Sequence, residues 1–241
     1  MARDARYDIL FEKVRIGPHI ARNRFYQVPH CNGMGYRDVT ALAAMRGIKA
    51  EGGWAVVCTE QVEIHASSEI TPFLELRLWD DRDLPGLARM SEAIHRHGAL
   101  AGIELAYNGM NGPNFYSREV PMGPSHLPVA TFTNDPVQAR AMDKQDIANL
   151  RRWHRNAAVR ARKAGFDIVD VYAAHGFGTL YQGLPVGPQG DAQIYSLSPT
   201  KLLIAGEGGI VATNDHDLAT KIRIGREYGN SGNYDRVSIS N

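Results

Sequence analysis

Cysteine is scarce. The 241 residues hold two, Cys31 and Cys58, too few for a disulfide scaffold and short of the four thiolates an iron–sulfur cluster usually takes. No apolar run approaches the roughly 20 residues of a membrane span. The opening MARDARYDILFEKV is charged where a signal peptide needs an apolar core. A cytoplasmic protein without a membrane partner is the expectation. Neither sign of charge dominates, since 27 Lys and Arg face 26 Asp and Glu, so no summed field attracts nucleic acid. A chain that is 44% hydrophobic and 22% charged, with a mean hydropathy of −0.31, is neither disordered nor collagenous. What remains is a globular protein whose partner is a small molecule.

The first 175 residues repeat one unit: an apolar β-branched run, a polar loop, an amphipathic stretch, then a glycine. That cadence is βα. It predicts strands over 25–28, 55–64, 99–106 and 166–173, the last three each entered just after Gly53, Gly98 or Gly165, which suit left-handed helix C-caps. Helices are expected over 36–51, 83–97 and 144–164, the last opened by Asp143 and Asp146 at its cap and first turn. Four parallel strands follow. A closed (β/α)8 barrel takes eight strands and typically about 250 residues, so these units make half of one.

Cys31 stands in Val28-Pro29-His30-Cys31-Asn32-Gly33, just past the first strand of the parallel set, where a barrel keeps its chemistry. The flanking histidine and the glycine-containing turn are of the kind that lower a thiol pKa and leave it accessible. Read alone, the same cysteine is more often a small buried apolar residue.

The segments RNRFYQVPHCNGMG, KAEGGWAVVCTEQ, GALAGIELAYNG and AGFDIVDVYAAH together resemble the barrel domain of the flavin-dependent methylamine dehydrogenases, from Ala2 to about His175. The resemblance implies FMN bonded through the sulfur of Cys31, with Val28, Pro29 and His30 lining the ring and Glu104 at its pyrimidine edge. Gln61 matches a position that is tyrosine in a trimethylamine-specific member and glutamine in a dimethylamine-specific one, implying a small secondary amine as substrate. An amide oxygen can accept an N–H from a secondary ammonium, whereas a more methylated cation gains more from an aromatic face. Tyr172 and His175 match two members of the family's catalytic tyrosine, histidine and aspartate group. The aspartate, the later arginine contacts to the flavin phosphate and the electron-passing cysteine cluster belong to strands and domains into which this sequence does not continue.

From about Asp191 the texture changes to strand, loop, strand, helix: DAQIYSLSPTKLL, the turn Gly206-Glu207-Gly208-Gly209, IVATND, then HDLATKIRIGREYG. Charge does not mark the join, because residues 171–241 hold 5 Lys and Arg against 6 Asp and Glu. This stretch resembles the pyridoxal-phosphate-dependent sugar aminotransferases of aspartate-aminotransferase fold. In Ser196-Leu197-Ser198-Pro199-Thr200-Lys201, the resemblance implies that Lys201 forms the Schiff base with PLP and that Ser196 contacts its phosphate. A Schiff-base lysine must shed its proton. The family's Asp-Ala-Ala-His reads Tyr172-Ala173-Ala174-His175 here, so the aspartate that faces the pyridine nitrogen is replaced.

Both resemblances meet at 173–176. They imply a chimera: an α/β chain with an incomplete (β/α)8 barrel of about four units over 1–175, then a fragment of a fold-type I aminotransferase large domain over 176–241. Three readings stay open: an FMN-dependent amine dehydrogenase, a PLP enzyme fragment using Lys201, and a non-catalytic chimeric fragment. Open barrel edges expose apolar faces and favour homo-oligomers.

Overall fold

A computed structural model describes residues 5–35, 38–70, 75–129, 136–173, 180–181, 184–185, 193–196 and 209–226. The chain divides into two units, Met1–Ala173 and Ala174–Asn241.

In the first unit an antiparallel hairpin, β1 (Val14–Ile16) and β2 (His19–Ala21), precedes β3 (Tyr26–Gln27), α1 (Val39–Glu51) and β4 (Val56–Glu63). There follow β5 (Leu76–Arg77), α2 (Leu84–His95), β6 (Leu100–Tyr107), the short strands β7 (Met122–Gly123) and β8 (Arg140–Ala141), α3 (Lys144–Lys163) and β9 (Ile168–Ala173). The main sheet runs β3-β4-β6-β9 with every pairing parallel, and β5 adds to β4. The four expected strands are therefore present, adjacent and parallel. The first is shorter than 25–28 because only Tyr26 and Gln27 find partners, in Val56 and Val57. The hairpin β1–β2 has no βα signature and escapes a search for that cadence.

Helix boundaries follow local chemistry. Asp38 caps α1, its Oδ1 accepting from the amides of Thr40 (2.9 Å) and Ala41 (3.2 Å). Asp143 and Asp146 form a reciprocal capping box at α3, with amide-to-carboxylate distances of 2.8 and 2.9 Å. Gly53, Gly98 and Gly165 have φ of +109°, +69° and +89°, the left-handed conformation expected where each helix gives way to the next strand.

The two faces of the sheet bury different things. Val57, Val62, Ile103 and Leu105 pack against Leu42, Leu87, Met90 and Ile94 of α1 and α2. On the opposite face Val56 and Cys58 meet Ala21 of the hairpin, Tyr26, Leu100 and Ile168. Helices on one face and a sealed, helix-free interior on the other are the two sides of a barrel wall. Within that interior Gly102 is obligatory, because a Cβ there would lie 2.4 Å from Cys58 Sγ. The wall is open along β9, which has no second hydrogen-bonded neighbour among the described residues. Val169 and Val171 of β9 are 37% and 67% exposed.

In the second unit β10 (Leu180–Tyr181) pairs with β11 (Leu184–Pro185), and β12 (Gln193–Ser196) pairs antiparallel with β13 (Gly209–Ala212) before α4 (His216–Arg226). The strand, loop, strand, helix order read from the sequence is present. Asp215 caps α4 through the amides of Asp217 (2.8 Å) and Leu218 (3.0 Å).

Asp143→Ala, which removes one side of the capping box, is expected to cost about 1 kcal/mol in urea unfolding of the first unit. Gly102→Ala is expected to cost more, about 1–3 kcal/mol by overpacking, and an unchanged midpoint would show that the Cys58 contact is slack.

Candidate functional site

Strand register decides which side chains meet. Cys58 pairs with Gly102 and Gln61 with Glu104, so three residues of β4 span two of β6 through a bulge. Cys58 and Gln61 are an odd number apart and would point to opposite faces of a regular strand; the bulge returns Gln61 to the interior face. Glu104 pairs in turn with Asp170, and Ala106 with Tyr172. Gln61, Glu104 and Tyr172, three of the sequence-predicted residues, therefore lie along the carboxyl ends of three neighbouring strands.

The orientation of the Gln61 amide follows from a chain of necessity. The Ser68 carbonyl can only accept, and it faces Asn108 Nδ2 at 2.8 Å. Asn108 must therefore turn Oδ1 toward Gln61, whose Nε2 donates to it at 2.6 Å. Gln61 is 8% exposed and held with its nitrogen committed, leaving Oε1 as the acceptor end.

The residue Cys31 is exposed, yet its thiol is desolvated. Burial pushes its pKa up to about 12, reinforced by the carboxylate of Glu75, to which the thiol donates, and by Glu60; the backbone N–H of Gln61 pulls the other way. The sequence expectation was the reverse, a thiol pKa lowered by His30 and the turn. Carboxylates reach the sulfur from distant segments, and no proximity along the chain announces them. Val28 and His30 are exposed and Pro29 is half-buried. His175 and Lys201 lie outside the described residues. Ser196 ends β12, opposite Gly209.

Sequence reasoning missed the groups beneath these. Cys58 donates to the Tyr26 hydroxyl (3.4 Å), and that hydroxyl donates to Asp170 Oδ2 (3.3 Å). Burial, then the contacts with Cys58 and Asp170, raises the Tyr26 pKa; burial pushes Cys58 up to about 12 against the Tyr26 contact, which lowers it, with the carboxylates of Asp170 and Glu104 adding to the rise. Glu63 is buried on β4, accepts from the Ile70 amide at 3.0 Å, and is raised well above the carboxylate range by desolvation. Glu69 accepts from the Tyr116 amide at 3.1 Å and from the Ser117 amide. The available signal was a carboxylate inside an apolar strand run: Glu60 and Glu63 in VVCTEQVEI, Asp170 in IVDVY.

Residues 9–181 match the NADH:flavin oxidoreductase / NADH oxidase family. The chain belongs to that family. Residues 161–240 match the DegT/DnrJ/EryC1/StrS aminotransferase family. Among solved structures, histamine dehydrogenase from Rhizobium sp. 4-9 is 73% identical, with a TM-score of 0.70 over 73% of this chain and 27% of that one. The 6-hydroxypseudooxynicotine amine oxidase from Pseudomonas geniculata N1 is 50% identical, with a TM-score of 0.69 over 72% and 26%. Dimethylamine dehydrogenase of Hyphomicrobium sp. (strain x) is 44% identical over 184 residues, 75% of this chain and 25% of the relative. The chain thus spans about a quarter of the length of these proteins. Its architecture is α/β: an incomplete (β/α)8 barrel of the flavin oxidoreductase family, followed by a fragment of an aminotransferase large domain.

Asp170 makes the flavin oxidoreductase unit pH-sensitive. Burial raises its carboxyl pKa, against the Tyr26 and Cys58 contacts that lower it, so the native state favours the protonated form. The stability this contributes is complete below about pH 4 and is lost as pH rises through the raised value. Asp170→Asn has no such titration, and its urea midpoint is expected to fall less than wild type between about pH 4 and pH 8. Equal falls would place the pH dependence elsewhere.

Proposed function

We propose that residues 1–175 are the cofactor-bearing front of an FMN-dependent dehydrogenase acting on the CH–NH bond of a small amine, with residues 176–241 an aminotransferase-like segment joined to it. The observation that carries this reading is the meeting of Cys31, Gln61 and Glu104 at the strand ends: the Gln61 backbone amide reaches the Cys31 sulfur, and Gln61 pairs in register with Glu104. The residues suit a flavin. Val28 is 64% exposed immediately after buried Gln27, an apolar ledge, and Pro29 and His30 follow it in the chain up to Cys31. Glu104, half-buried in β6, supplies a polar group for the pyrimidine edge.

When bound, FMN supplies the two-electron acceptor. Gln61 Oε1 accepts an N–H of the incoming ammonium, its amide held by Asn108. Tyr172 and His175 are assigned to hold the substrate nitrogen and its proton. A nitrogen bearing N–H donors suits this acceptor, so the substrate is a secondary amine, as in the dehydrogenase named for dimethylamine, or a primary one, as in that named for histamine. A second copy covering the exposed valines of β9, whose outer edge has no partner among the described residues, would give a homo-oligomer, the association expected of an open barrel.

A second reading, favoured by the aminotransferase match over 161–240, gives Lys201 a PLP Schiff base with Ser196 at the phosphate. The visible spectrum, taken before and after acid precipitation, separates the two. Flavin absorbance that stays with the pellet in wild type and is lost in Cys31→Ala is the expected result. Covalent flavin retained in Cys31→Ala would overturn the anchor. A borohydride-trappable aldimine lost in Lys201→Ala would support the second reading, and a protein with neither signal would be a non-catalytic chimeric fragment.

A further inference from the structure

We infer that Arg46 and Glu60 are positioning residues for Cys31, holding the peptide groups on either side of it so that the thiol faces into the site. The inference deepens the flavin reading, on which its functional consequence rests, but its physical content is independent of any cofactor.

Arg46 lies on the core stripe of α1 with Leu42, Ala43, Gly47 and Ala50, and none of its surface is exposed. Its Nη2 donates to the His30 carbonyl at 2.6 Å, and its Nη1 to Gln27 Oε1 at 3.0 Å. Glu60, equally buried, stands in the β4 bulge, and its Oε2 accepts from the Asn32 amide at 3.2 Å. The amides of Gly33 and Gly35 face the same carboxylate. Thus the carbonyl before Cys31 is gripped by a buried cation and the amide after it by a buried anion. Asn32 completes the turn by accepting the Met34 amide on Oδ1 at 3.0 Å.

Two features point to positioning rather than packing. Burying opposite charges is costly enough that apolar residues of similar volume often stabilise equally well or better, yet here both charges end on backbone atoms of a single loop. Gly35 also makes room for the arrangement, because a Cβ at that position would lie 2.0 Å from Glu60 Oε1. With both flanking peptides held, the thiol is left facing Glu75 and the Gln61 amide, instead of rotating into solvent as an ordinary surface thiol.

The test is site-resolved alkylation by iodoacetamide between pH 7 and pH 11, carried out on protein produced without flavin, whose intact mass shows Cys31 free, and read by peptide mass spectrometry, with buried Cys58 as an internal control for an intact sheet. Wild-type Cys31 is expected to react slowly at pH 8. Glu60→Gln keeps the volume and removes the charge, and Cys31 is then expected to react at least roughly tenfold faster, its profile moving toward the ordinary thiol value of about 8.5. Gly35→Ala, which displaces the carboxylate without changing a polar group, is expected to do the same, while Arg46→Lys should be milder than Arg46→Met. If Cys58 also reacts in Glu60→Gln, that variant has unfolded and Gly35→Ala decides. Rates within about twofold of wild type in the folded variants, or a wild-type Cys31 that reacts like a free thiol, would overturn the inference. The flavin reading fails separately, by absence of acid-stable flavin in a wild type whose alkylation still contrasts with the variants.

Discussion

Buried carboxylates on and just beyond β4, each turned toward backbone amides of a loop, are the constraint on which the site depends. Glu60 takes the loop after β3, Glu63 the amide of Ile70, and Glu69 the amides of Tyr116 and Ser117. Burying a carboxylate or an amide without a partner is costly, so each of these pairings favours one arrangement of its loop. These contacts lie where an α/β barrel concentrates its chemistry, and they are made by polar groups rather than by the apolar wall beneath.

That wall determines the level at which the rim sits. The parallel register sets Gln61 beside Glu104 and Glu104 beside Asp170, and the bulge in β4 keeps Cys58 and Gln61 on one face. Tyr26 and Cys58 lie beneath them, Tyr26 reaching up to Asp170 and Cys58 lying against Gly102. The glycine matters because the Cys58 sulfur occupies the space its missing Cβ leaves. At the strand ends Val28 is exposed, whereas the sulfur of Cys31 is desolvated.

Much of the barrel was legible along the chain because its signals are local. Alternation of apolar runs with Gly-terminated helical stretches located the four strands, and Asp143 with Asp146 located the start of α3, since a cap is made by residues three apart. Val28, Pro29, His30 and Cys31 were visible as a strand-end segment, and Gln61, Glu104 and Tyr172 through family resemblance. The sense of the Cys31 pKa was not legible. His30, its sequence neighbour, suggested a lowered value, whereas Glu75 and Glu60 arrive from β4 and the segment before β5 and raise it. The hairpin β1–β2 was missed because three-residue strands carry too little periodicity to register.

By itself, the sequence determined the βα cadence, the caps and the near-zero net charge, because each depends on composition or on residues within a few positions of one another. Tertiary structure alone decided which face Gln61 points to, which end of its amide is free, that Cys58 shares a proton network with Tyr26 and Asp170, and that Arg46 and Glu60 grip Cys31 from both sides. Those depend on strand register and on desolvation. Both are properties of segments brought together from 16 to 144 positions apart, where local sequence has no physical means of expressing a distance.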